Sequence, residues 1–301
     1  MLKEEHLSDT SGNEIQLQDI YREILKHIKE TWSKRSGRRA EETARALLSI
    51  KRAYYQVQII NYYIPKIQGK KLLEIGSGYS IFLTVARLKF GIDAYGIEPA
   101  NNGIYTNTFI LGKKVLERAG IKKKVLYKGC GERIPFPNQS FDVVYSYYVF
   151  EHTNMHNKIL KESMRVLKKG GYLIFVMPNY HSFWEGHYGV FWWPFLNKPL
   201  AKIYIKLLGK DPSIIDELNF VSQEYLEKII VKISNLKILS YGFEWFKESL
   251  TSFNIPEDST LKSAKRILSF LKFFGLIKTT IFISRLLKTH TPIVLVGRKT
   301  K

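Results

Sequence analysis

From Lys71 onward the chain alternates two hydrophobic patterns, and this alternation restricts the fold more than any other feature. KLLEIG, DAYGIE (Asp93 to Glu98), KVLYK (Lys124 to Lys128), FDVVYS (Phe141 to Ser146) and YLIFVM (Tyr172 to Met177) are short runs rich in branched aliphatic and aromatic residues. Helical patterns separate most of them, Ile104 to Ala119 and His156 to Leu167 among them. Strands this apolar, joined by helices, belong to a parallel sheet covered on both faces. The pair Gly170-Gly171 after RVLKK reads as a helix stop leading into the fifth strand. With 301 residues, 45% of them hydrophobic, the chain can bury such a core.

The flanks differ from this centre. Residues 1–69 read as an N-terminal helical extension. Within it, residues 1–14 are polar and expected to be disordered. EIQLQDIYREILKHIKETW places apolar residues close to a 3.6 period, and after the basic break SKRSGRR a second helix is expected from about Glu41 to Tyr63. Residues 70–180 form the expected α/β core. In residues 181–301 the regularity fails: HSFWEGHYGVFWWPFLNKPLAKIYIKLLGK is aromatic, basic and broken by proline. A helix from Gln223 to Val231, a strand from Leu236 to Glu244, a second irregular helical stretch at 245–289 and a last strand in TPIVLVGRK follow. This part is expected to supply helical lid insertions and the strands that complete the sheet.

Several classes are disfavoured. The single cysteine, Cys130, rules out a disulfide framework within one chain and a Cys-rich zinc site. The seven histidines show no His-Glu-x-x-His spacing, so no metal is expected. The N-terminus lacks the apolar core of a secretory signal, and no apolar run reaches the ~18 residues of a membrane span. A cytoplasmic protein, at most peripheral at a membrane surface, is expected. The formal charge of +20 favours acidic partners such as phosphorylated substrates, anionic membranes or RNA, although lysines that merely solvate the surface account for it as well.

The stretch KLLEIGSGYS then asks which nucleotide it holds. Gly76 and Gly78 sit between a strand and the helical run IFLTVARL, where positive φ or close ligand approach calls for glycine. A dinucleotide fingerprint wants a third glycine where Ile81 stands, which weakens a nicotinamide or flavin reading. The turn reads Glu-x-Gly-x-Gly-x-Ser instead. Glu98 lies 20 residues after Gly78, at the end of the next strand. GERIPFPNQSFDVVYSYYVFEH and RVLKKGGYL follow in order. In these four blocks the chain resembles the class I S-adenosylmethionine (SAM)-dependent methyltransferases of type 11, over roughly residues 70–180. The resemblance implies a Rossmann-like doubly wound seven-stranded sheet with SAM as cofactor. It implies that Glu74, Gly76 and Gly78 hold the methionine part, with Ser80 as the small residue that follows, and that Glu98 binds both ribose hydroxyls. It also implies that Glu132, Pro135, Phe136, Ser140, Phe141 and Asp142 belong to the run that closes over the adenine. Cys130, followed by Gly131, stands where the family commonly has an aspartate bonding the adenine amino group, and a thiol is a poor acceptor.

Methyl transfer from a sulfonium is an in-line displacement, so the protein mainly positions the acceptor and excludes water. A base is needed where a hydroxyl must lose its proton. His187, in Glu185-Gly186-His187-Tyr188-Gly189, is the first candidate, and His152, in a Glu-His pair resembling the family's, is the second. Asn179, Glu185 and Tyr188 are candidate acceptor contacts. SYYV after the fourth strand lacks the Asn/Asp-Pro-Pro-Tyr/Phe pattern of amino-methylating nucleic-acid enzymes. No Pro-Cys nucleophile and no RNA-binding module are recognisable. A small-molecule or amphiphilic acceptor is therefore expected, such as a sugar or lipid-linked precursor, with O-methylation favoured. VFWWPFLNKPLAKIYIKLL and LKFFGLIKTTIFISRLLK also suit contact with an anionic membrane. An RNA methyltransferase and a catalytically silent partner protein are the alternatives.

Overall fold

A seven-stranded sheet runs through the centre of the computed structural model, which describes residues 18–31, 40–100, 103–252 and 269–300. The strands are β1 (Lys71–Ile75), β2 (Asp93–Glu98), β3 (Leu126–Lys128), β4 (Phe141–Tyr147), β5 (Leu167–Met177), β8 (Leu236–Ser240) and β9 (Ile293–Lys299). A small hairpin of β6 (Trp184–Glu185) and β7 (Val190–Phe191) lies apart from the sheet. The order is β3-β2-β1-β4-β5-β9-β8. The first five strands are parallel, and β9 runs antiparallel to both of its neighbours. Because the chain winds from β1 out to β3 and returns to β4 on the other side of β1, a crevice opens at the carboxyl ends of β1 and β4. This is the doubly wound α/β sheet expected for class I methyltransferases.

Helices α1 (Gln18–Glu30), α2 (Ala40–Leu47), α3 (Ile50–Tyr63), α4 (Ile81–Phe90), α5 (Gly103–Arg118) and α6 (His156–Val166) surround the parallel strands. Ile20, Ile24 and Ile28 of α1 are buried in the same core as Leu72, Leu73, Val143 and Val144 of the sheet. Each such side chain removed from water contributes about 2 kcal/mol. The single helix expected over Glu41 to Tyr63 is two. Ser49 starts the second by accepting a hydrogen bond from the Arg52 amide at 3.1 Å. The expected disorder of residues 1–14 and the break SKRSGRR lie outside the described residues.

Two boundaries differ from expectation. Helix α6 stops at Val166, and Gly170-Gly171 lies inside β5 instead of ending the helix. The β4–β5 register jumps there from Phe141–Leu167 to Val143–Tyr172. A Cβ on Gly171 would sit 2.9 Å from the Asp142 carbonyl, so the pair serves a close backbone approach. The strand expected to reach Glu244 ends at Ser240, and the aromatic run after it turns into α10 (Phe243–Ser252).

The insert after β5 folds around a second, smaller core. Tyr180, Tyr188, Trp192, Ile205, Ile215 and Leu218 pack together there, between α7 (Lys198–Leu207) and α8 (Ser213–Glu217). Helix α9 (Gln223–Ile230) then leads to β8, and α11 (Ile277–Leu286) precedes β9. Among the described residues no helix is long and apolar enough to cross a membrane.

Charged side chains pin the loops at the sheet ends. Asp142 accepts from the Lys71 amide at 2.9 Å and from Lys168 Nζ at 2.8 Å, tying the starts of β1 and β4 together. Arg165 forks onto Glu162 and donates to the carbonyls of Ile134 and Phe136 and to Asn138 Oδ1. Glu162 in turn accepts from the Ile134 amide. The Arg165–Glu162 pair thus holds the 134–138 loop. Arg165→Ala is expected to destabilise the fold by about 2 kcal/mol. Urea unfolding checks this: the midpoint should fall with an unchanged slope.

Candidate active site

The turn after β1 is built from three residues with positive φ, Gly76 (76°), Gly78 (50°) and Ser80 (61°), before α4 begins at Ile81. The Gly76 and Ser77 amides donate to the Ile97 carbonyl at 2.9 and 3.1 Å, which folds the turn against the end of β2. Gly76 has no room for a side chain, because a Cβ would lie 2.4 Å from Val149 Cγ2. Gly78 faces open space, with nothing within 4 Å of a built Cβ. The first glycine thus admits the loop after β4, and the second leaves a cradle beside the turn.

Two buried carboxyls border that cradle. Glu98 Oε2 accepts the Gly78 amide at 2.9 Å. Burial pushes its pKa up to about 7, against the opposing pull of that hydrogen bond. Glu74 is buried, and its Oε2 has no hydrogen-bond partner. Burial holds its pKa well above the usual carboxylate range, the Ser77 hydroxyl opposing and Glu98 adding to the effect. An orphaned buried carboxyl beside an open glycine turn fits a ligand ammonium, and a second at the next strand end fits a vicinal diol. These residues therefore suit SAM.

The loop that carries Cys130 starts beside the same strand end. The Gly129 amide donates to the Glu98 carbonyl at 3.2 Å. Gly131 is wedged between Ile75 and Ile159, where a Cβ would approach both to 3.1–3.2 Å. Cys130 is half-buried and shares a short backbone bridge with Arg133. Burial and the Glu132 carboxylate push its thiol up. A contact absent from the sequence reading closes the other side: His27 Nδ1 lies 3.0 Å from the Tyr79 hydroxyl, joining α1 to the turn. His27 sits on the buried α1 face with Ile20, Ile24 and Ile28, and a polar residue on that stripe was the available signal.

The loop after β4 makes one 3₁₀ turn, Phe150–His152. It brings His152 to His187 of the insert, with 3.4 Å between their Nε2 atoms. His187 Nδ1 lies 2.7 Å from Glu185 Oε1. Glu185 also accepts the amides of His187 and Tyr188, at 3.0 and 2.7 Å. Burial alone would raise the Glu185 pKa, but His187 and these amides outweigh it and hold the group below its ordinary value. Glu151 is fully buried with neither carboxylate oxygen partnered, and burial pushes it up to about 7. Burial and the His187 ring hold His152 well below the usual imidazole range.

The structure brings together both candidate histidines and gives each of the three expected acceptor contacts hydrogen-bond partners within the protein. Asn179 is buried, and its Nδ2 donates to the carbonyls of Lys288 and His290 while its Oδ1 accepts the His181 amide. It ties the segment before β9 to the end of β5. The Tyr188 hydroxyl donates to the Asp211 carbonyl inside the insert's core. Glu185 orients His187 from a fully buried position.

An α/β domain with a glycine cradle and two acids at its switch point is of the nucleotide-cofactor class. Residues 73–175 match the family model described as a methyltransferase domain, and this segment is a class I SAM-dependent methyltransferase domain. The chain is similar to a sarcosine/dimethylglycine N-methyltransferase of Aphanothece halophytica, 29% identical over 111 residues, covering 36% of this chain and 38% of that protein. It is also similar to an uncharacterized protein of Methanocaldococcus jannaschii, 31% identical over 128 residues, covering 42% of this chain and 53% of that protein. The matched part thus spans about half or less of either relative. Among solved structures, phosphoethanolamine N-methyltransferase 2 of Haemonchus contortus aligns with a TM-score of 0.48 and 18% identity, covering 82% of this chain and 52% of that one.

The Glu98 pKa carries a signed prediction. Its folded value, about 7, lies above the ordinary 4.5, so the stability it contributes is full below about 4.5 and lost as pH rises through about 7. Binding of a diol runs the other way, because the carboxylate is the acceptor. SAM affinity is expected to be roughly tenfold tighter at pH 8 than at pH 6, with proton release on binding. Calorimetry in buffers of different ionisation enthalpy measures both, and a pH-independent affinity without proton release would remove Glu98 from the ribose.

Proposed function

We propose that this protein transfers the methyl group of SAM to a hydroxyl of a small or amphiphilic acceptor held between the cofactor turn and the insert. One observation carries the reading: Val149 of the loop bearing Glu151 and His152 packs directly on Gly76 of the cofactor turn. The acceptor-activating histidines are therefore neighbours of the cofactor cradle. When bound, SAM supplies a methyl group on a sulfonium that leaves as a neutral thioether. Glu74 and Glu98 hold its charged and hydroxylated ends, and the 130–132 loop borders its base. Glu185 fixes the His187 ring, and the His187–His152 pair activates the acceptor hydroxyl. The aromatic insert with α10 and α11 forms a two-part lid that excludes water.

Exposed apolar side chains support an amphiphilic acceptor met at a membrane surface. Helix α7 presents Leu200, Ile203 and Leu207 at helical spacing beside Lys198, Lys202 and Lys206. Phe273, Phe282 and Leu286 are exposed around α11, beside Lys278 and Arg285. Vesicles containing a quarter phosphatidylglycerol are expected to carry the protein upward in a density gradient at low salt and release it at high salt. Sedimentation at low salt would end the membrane reading.

The reaction itself is tested by methyl-labelled SAM with sugars, lipid-linked sugars and amines as acceptors. His187→Ala is expected to lower kcat by about 100-fold or more while leaving SAM affinity within about twofold. Full turnover in that variant would exclude His187 from acceptor activation. If wild type neither binds SAM nor methylates any acceptor, the silent-partner reading replaces this one.

A further inference from the structure

We propose that Glu151, His152 and His187 bind one divalent transition-metal ion, held by a Glu151 carboxylate oxygen and both Nε2 atoms, with a fourth position left for water or the acceptor oxygen. One ligand atom from each residue lies within 4.8 Å of the others. The two Nε2 atoms are 3.4 Å apart. Two nitrogens bound at about 2.0–2.1 Å to one tetrahedral ion stand about 3.4 Å from each other. That spacing is long for a direct hydrogen bond between the rings. The Glu151 oxygen is 4.0 Å from His152 Nε2 and within 4.8 Å of the His187 ligand atom, so it must close by about 0.6 Å on His152 and by up to about 1.4 Å on His187 to reach the same geometry.

The surroundings have the chemistry of an ion site. Glu185 accepts the His187 Nδ1 proton at 2.7 Å, which leaves the lone pair on Nε2, where it faces His152. A carboxylate fixing the far nitrogen of a metal-binding histidine is the usual supporting arrangement. Glu151 is buried with both oxygens unpartnered, a costly state that a cation relieves. Two imidazoles and one carboxylate suit zinc or cobalt better than magnesium or calcium. The histidine side chains keep 29% and 23% exposure, enough for an ion to enter. The ligands come from the loop after β4 and from the insert, so no linear spacing announced them. The absence of a metal expected from the sequence is revised here. The use of the ion, to coordinate the acceptor hydroxyl and let its proton pass to water, rests on the methyltransferase reading. The binding test does not, because it omits SAM and acceptor.

The experiment titrates the metal-stripped full chain with Co²⁺, read by visible absorption, and with Zn²⁺ by equilibrium dialysis. One ion per chain with a cobalt spectrum of low coordination number is expected. It should be lost in His187→Ala and His152→Ala, and weakened about 10- to 100-fold in Glu185→Gln. His181→Ala, beside Glu224 and outside the cluster, should bind as wild type does. Circular dichroism checks folding, and if an alanine variant is unfolded, Glu151→Gln makes the same comparison. No stoichiometric ion on wild type, or equal binding by folded His187→Ala or Glu151→Gln, overturns the proposal. A failure of SAM binding leaves this titration unaffected, so the two readings fail separately.

Discussion

The working edge of the protein depends on how closely the backbone at Gly76 meets Val149. A Cβ at position 76 would lie 2.4 Å from Val149 Cγ2, so a side chain there would force the valine or its loop to shift. Because glycine stands there, the segment carrying Glu151 and His152 leaves β4 against the glycine turn. The insert brings His187 to this segment, where it meets His152. The missing Cβ of one glycine thus lets the loops after β1 and β4 meet at the switch point.

The electrostatics of that crevice run against the charge of the molecule. A chain with a net charge of +20 buries four carboxyls at its centre: Glu74, Glu98, Glu151 and Glu185. Of these four, Glu185 has a histidine and two amides, and it stays ionised. The other three are pushed toward protonation by burial. Such groups are held ready for a ligand that brings positive charge or hydroxyl donors, and each ligand proposed here does so. An ammonium answers Glu74, a diol Glu98 and a metal ion Glu151.

Much of the fold was legible because it rests on local patterns. Apolar strand runs and helical periods placed five parallel strands within a few residues, and the Glu-x-Gly-x-Gly-x-Ser turn located the cradle. What was not legible has physical causes. Gly170-Gly171 looks like a helix stop, but it lies where β5 must pass the Asp142 carbonyl. Asn179 has the position of an acceptor contact, yet its amide is committed to the carbonyls of residues 288 and 290, more than 100 residues away in sequence. Tyr188 was legible as a neighbour of His187, but its hydroxyl turns into the insert's own core.

The succession of strands along the chain, the turn with its two glycines and the positions of Glu74 and Glu98 were written in the linear chain, because each depends on residues close together or on a repeating period. The pairing of His152 with His187, the burial of Glu151 and the docking of His27 on Tyr79 were decided by tertiary structure. They join segments 35 to 52 residues apart whose meeting depends on how the insert and the first helix pack on the sheet, and no local pattern encodes that distance.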